Sequence, residues 1–70
     1  MLNKLRIEID YLEMMADDAS RLLNEKKEEL ANCSDEGAIK NILHDIEYHR
    51  EECRKYTFAL TVLRRIERAE

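Results

Sequence analysis

Seventy residues with a formal charge of −4 leave room for one small domain and argue against a general nucleic-acid coat protein. No proline, a single glycine and 40% charged residues exclude β-rich and collagen-like chains and match long helices. A chain this short buries only about 60% of its unfolded surface, so a lone unit is marginal without disulfides, a metal or self-association.

The first predicted element runs from about residue 2 to 31. Leu2, Leu5, Ile9, Leu12, Ala16, Ala19, Leu23, Lys26 and Leu30 follow a 3-4 spacing that places them on one stripe of a helix. Glu8, Asp10 and Glu13 interrupt the apolar run near the start, so no signal peptide is expected. No apolar stretch of about 18 residues offers a membrane span, and a cytoplasmic protein is the expectation.

Asn32-Cys33-Ser34-Asp35-Glu36-Gly37 is the one stretch with turn chemistry, and the turn is predicted over about 32–35. Asn32 is expected to close the first helix in the left-handed conformation. Ser34 is the expected N-cap of the next helix, with Asp35 and Glu36 placing carboxylates at the positive end of its dipole.

The second helix is predicted from about residue 35 to 68, where Ile39, Ile42, Ile46, His49, Cys53, Tyr56, Leu60 and Leu63 repeat the 3-4 spacing. Folding the chain back at the turn matches Leu30 with Ile39, Leu23 with Ile46, Ala16 with Cys53, and Ile9 with Leu60. The predicted fold is therefore all-α, with residues 1–70 forming a single helical hairpin around a coiled-coil-like seam. Cys33 falls at the turn and Cys53 in mid-seam, too far apart to bridge, and a reduced pair suits the cytosol.

More apolar residues exist than one seam can use. Ile7, Tyr11, Met14, Met15 and Leu22 form a second stripe on helix 1, and Leu43, Phe58, Ala59, Val62 and Ile66 lie off the seam on helix 2. Covering a Leu- or Phe-sized side chain is worth roughly 1.5–3 kcal/mol. Left bare, the stripe would forfeit on the order of 10 kcal/mol, comparable with the whole stability of a small domain. Homo-oligomerisation follows, as a four-helix bundle or a larger ring, or the stripe docks on another protein. Ile7, Tyr11, Met14, Met15, Leu22, Phe58, Val62 and Ile66 are the candidate interface.

Other groups carry weaker signals. Asp45, His49 and Cys53 at i, i+4 and i+8 are metal-capable types, but opposite Ala16 and Ala19 they read more simply as the large partners of small–large layers. No metal or other cofactor is implied. His49 is expected to hydrogen-bond a neighbour and, with Lys26, to hold the register as a polar seam residue, the Lys26 ammonium reaching water. Glu13, Asp17, Asp18, Glu47, Glu51 and Glu52 read as solvated outer surface.

Lys4, Arg6, Arg64, Arg65 and Arg68 gather at the end where the chain termini meet, while the loop end has an excess of carboxylates. Arg6, Arg64, Arg65 and Arg68, with Tyr11 and Tyr56 to stack, form a candidate site for an anionic, nucleotide-like ligand. The simpler reading is that the last three arginines complement the negative end of helix 2. No nucleophile–base pair, phosphate loop or zinc motif is present, so no enzyme is expected.

The layout resembles that of the Rop-like plasmid-encoded hairpins, and Asp35-Glu36-Gly37-Ala38, then Leu43-His44-Asp45 and Cys53, are similar to their second helix. The resemblance implies a dimeric four-helix bundle that binds RNA through a basic face of helix 1. Here that face carries Ile7, Met14 and acidic residues, which argues against RNA. In size and layout the chain is also similar to the hairpin co-chaperones of type III secretion, without a shared motif. Compact one-module chains of this kind are common among phage and plasmid genes. The leading expectation is a self-assembling, non-enzymatic protein that binds a partner protein stoichiometrically as an adaptor, inhibitor or chaperone. The alternatives are an oligomeric binder or sequesterer of a nucleotide-like ligand, and Rop-like RNA binding.

Overall fold

The computed structural model describes residues 2–69. Two helices, α1 (Leu2–Ala31) and α2 (Glu36–Ala69), pack antiparallel as a rod 52 Å long and about 14 Å across. The length follows from the 34 residues of α2 at about 1.5 Å each. The side chain of Leu2, expected on the seam, and the charge of Glu70 lie outside the described residues.

The two stripes meet as the spacing requires. Ile9, Ala19, Ile42, Ile46 and Leu60 are buried, and Ile9 is fully enclosed. Leu5, Leu12, Ala16, Leu23, Lys26, Leu30, Ile39, His49, Cys53, Tyr56 and Leu63 are half-buried. No seam position among the described side chains is exposed. A two-helix rod covers each seam residue from one side only, which is why few of them reach full burial.

The turn differs from expectation at both of its caps. Asn32 is not left-handed, since no described residue has positive φ. Its side-chain amide instead donates to the Glu28 carbonyl at 3.0 Å, and its backbone N–H is shared between the carbonyls of Glu28 and Glu29. With those end carbonyls satisfied, no reversal of φ is needed. The N-cap of α2 is Asp35 rather than Ser34. The Asp35 carbonyl accepts the first helical bond from Ile39 N–H at 2.9 Å, and its Oδ1 accepts from Gly37 N–H at 3.3 Å. A carboxylate does there what a hydroxyl would do, and adds a favourable charge at the helix start.

Gly37 stands in this first turn without a conformational need for glycine. Its φ is not positive, and a Cβ there would meet only Asp35 Oδ1, at 3.9 Å. Gly37→Ala should therefore raise the unfolding free energy by about 0.5–1 kcal/mol, measured by urea denaturation. A loss of stability would show that the turn requires glycine.

Candidate functional site

Each helix leaves three faces beside its seam: two flanks and an outer edge. On one flank stand Arg6, Glu13, Ser20 and Lys27 of α1, with Arg50, Thr57 and Arg64 of α2. At the end where the termini meet, this flank is closed by charge: Arg64 donates to Glu13 Oε1 at 2.8 Å, and Arg6 reaches Glu67 Oε2 at 3.2 Å and Asp10 at 3.3 Å. Among its large apolar side chains only Leu43 is exposed.

The opposite flank is different. The same 3-4 rule, shifted by one position from the seam, lays Tyr11, Met15, Asp18 and Leu22 along α1. On α2 it lays Tyr48, Glu52, Lys55, Ala59, Val62 and Ile66. Between the helices at mid-length lies an open groove of about 240 Å³, lined by Met15, Asp18, Ala19, Leu22, Tyr48, His49, Glu52 and Tyr56. Its floor exists because Ala19 is small and lies near His49 across the seam. Apolar and aromatic surface forms most of the lining, and Asp18 and Glu52 are its two acids.

The candidate interface residues thus divide. Tyr11, Met15, Leu22, Val62 and Ile66 share the groove-bearing flank, where Met15 is half-buried rather than exposed. Ile7, Met14 and Phe58 lie on the outer edges, pointing away from the seam, and Phe58 is 72% exposed. The sequence pattern joins Ile7, Tyr11, Met14, Met15 and Leu22 into one stripe on helix 1 and sets Phe58, Val62 and Ile66 together off the seam on helix 2.

The candidate anion site is not assembled as a set of free cations. Arg6 and Arg64 are engaged by Glu67, Asp10 and Glu13, and Arg68 Nε donates to the Arg64 carbonyl at 3.4 Å. The hydrogen bond to Glu67, and then the charge of Asp10, hold the Arg6 guanidinium above its ordinary value. An anion would have to displace these carboxylates. Arg65 is exposed on the outer edge of α2, Tyr11 is exposed, and Tyr56 is half-buried in the groove.

Two further expectations need correction. Glu13 and Glu52 are half-buried, not solvated, because one pairs across the hairpin and the other walls the groove. His49 meets the Tyr48 ring edge-on at 5.4 Å in place of the expected hydrogen bond, and no buried side-chain nitrogen is left unsatisfied among the described residues. Asp45 serves Lys26, whose ammonium lies at the surface 3.3 Å from both Asp45 and Glu29. No three His, Cys, Asp or Glu side chains among the described residues could hold a metal ion together. Both thiols are free. No described helix is long and apolar enough to cross a membrane.

Two groups tie this flank to pH. Glu29, and then Asp45, hold the Lys26 ammonium above its ordinary 10.5. Glu52, as acceptor for the phenol, and then burial, push Tyr56 above its ordinary 10.0. Both groups bind protons more tightly folded than unfolded, so their stabilisation is fully present below about pH 10. It is lost as pH rises through the raised folded values. Thermal unfolding between pH 8 and 11 should show this decline, and a Lys26→Met, Tyr56→Phe variant should show a shallower one. An unchanged profile would remove these groups as the cause.

Sequence reasoning passed over Tyr48, which is 61% exposed. The available signal was its place one turn before Glu52 and two turns before Lys55 in a repeat parallel to the seam. No protein-family model matches the chain, and no curated protein or solved structure is similar to it.

Proposed function

We propose that this hairpin self-assembles in the cytoplasm and acts, without enzymatic chemistry, by stoichiometric binding to another protein as an adaptor, inhibitor or chaperone. The observation that carries this reading is apolar surface outside the seam: Ile7, Tyr11, Met14, Tyr48, Phe58, Val62 and Ile66 are all exposed. Patches of this kind on a small protein mark sites that another surface covers. On the other flank Arg64 is paired with Glu13, and Arg6 with Glu67 and Asp10. The reading of a nucleotide-like ligand has less support, because Arg6 and Arg64 already face carboxylates.

Met14 and Phe58 suit a partner surface, since both are large, apolar and directed away from the hairpin. A methionine adapts its shape to what it meets. A tagged Met14→Glu variant should keep wild-type helicity yet lose the protein that the wild type captures from cell extract. Undiminished capture would count against this role.

A further inference from the structure

We infer that the groove-bearing flank is the seat of a second copy of this chain, placed by a two-fold axis through the middle of the groove. The inference rests on the self-assembly proposed above and deepens it. It specifies which face pairs, how the copies are oriented, and which charge locks them.

The area is the first argument. The hairpin exposes 5545 Å², whereas a compact monomer of 8.4 kDa exposes roughly 4600 Å². The excess of about 900 Å² is close to the roughly 800 Å² that each partner contributes to a standard interface. Segregation is the second argument. A hairpin that exposes Tyr11, Leu22, Tyr48, Val62 and Ile66 on one flank and, among large apolar side chains, only Leu43 on the other suits a closed isologous pair, because a ring of hairpins needs two sticky flanks.

Spacing and charge supply the third. Tyr11, Met15, Asp18 and Leu22 on α1 are spaced 4-3-4, and so are Tyr48, Glu52, Lys55 and Ala59 on α2. Such a spacing is unchanged by a two-fold axis through its centre. The two centres fall within one to two residues, or about 1.5–3 Å, of the same layer of the hairpin. One axis crossing both helices therefore serves both, laying α1 on α1 and α2 on α2 in antiparallel pairs. It sets Tyr11 against Leu22 of the second copy and Tyr48 against Ala59.

The same axis exchanges Glu52 with Lys55. Each groove then receives the lysine of the other copy beside its own Glu52. Lys55 would do this from an exposed side chain by exchanging its i,i+3 pairing with Glu52 of its own helix, at 3.7 Å, for the Glu52 of the second copy; its ammonium lies 5.2 Å from the Tyr56 ring centroid. Ile7, Met14 and Phe58 stay on the outer edges of the pair, open to a partner protein.

Sedimentation equilibrium of the intact chain tests this. The wild type should have twice the chain mass of 8.4 kDa. Lys55→Glu and Glu52→Lys should each weaken the pair by about tenfold or more, because like charges then meet across the axis. The double variant Glu52→Lys, Lys55→Glu should restore it, since the exchanged charges complement one another again. Phe58→Asp, on the outer edge, should leave the pair intact, and circular dichroism should show all four variants helical. A monomeric wild type would overturn the self-assembly reading as a whole. An assembled wild type that ignores both single charge reversals, or a double variant no tighter than the singles, would overturn this seat alone.

Discussion

Ile9→Ala should cost about 2–5 kcal/mol of unfolding free energy, the largest loss expected of any single truncation on α1. Ile9 is fully enclosed opposite Leu60, so removing its outer carbons leaves a void between two long helices. In a two-helix rod there is little neighbouring core to relax into that void. For a chain of this size each kcal/mol shifts the midpoint by about 4–8 °C, so thermal unfolding should fall by tens of degrees or become incomplete. Ile7→Ala is the internal control. Two positions away on the same helix, Ile7 is 66% exposed, and its truncation should change stability by about 0.5 kcal/mol or less. Equal effects at the two positions would refute the seam assignment.

The second large effect expected is a dependence of stability on protein concentration. If pairing through the groove-bearing flank is coupled to folding, each tenfold rise in concentration stabilises the folded pair by about 1.4 kcal/mol per mole of dimer. Urea denaturation at 1 µM and 100 µM should then differ by about 2.7 kcal/mol. Identical midpoints would mean that the rod stands alone with its flank in water. The expectation follows from the geometry of the seam, where each layer is covered from one side and few residues are fully buried.

The seam was legible in the chain itself because a helix repeats nearly every 3.6 residues. A 3-4 spacing of Leu, Ile and Ala over this length has no other regular reading. Every described seam residue, from Leu5 to Leu63, is at least half-buried. The polar members behaved less simply. Lys26 and His49 were placed correctly on the seam, but their partners were not: one reaches across to the other helix and the other meets its own neighbour in the chain. Asp45 happens to reach Lys26, and Tyr48 presents its ring to His49. Residue type and spacing do not encode those distances.

The turn shows the same division on a smaller scale. Asn, Ser and Asp in succession announce a helix end followed by a helix start, because all three can satisfy backbone groups that lack helical partners. Which one caps which end depends on the path of three or four residues. A single-residue difference there moved the N-cap from Ser34 to Asp35.

From its sequence alone this chain is a pair of long helices folded antiparallel about one seam, with apolar residues to spare. Local periodicity and the chemistry of a single turn determine that much. Only the tertiary structure decided how the surplus is distributed. It separated the outer edges carrying Ile7, Met14 and Phe58 from the flank carrying Tyr11, Met15, Leu22 and Tyr48. It also bridged the other flank, at the end where the termini meet, with Glu13–Arg64 and Arg6–Glu67. The reason is physical: one helix dictates the angle at which each side chain leaves it, but a flank belongs to two helices. Their relative rotation and register are set where the side chains meet.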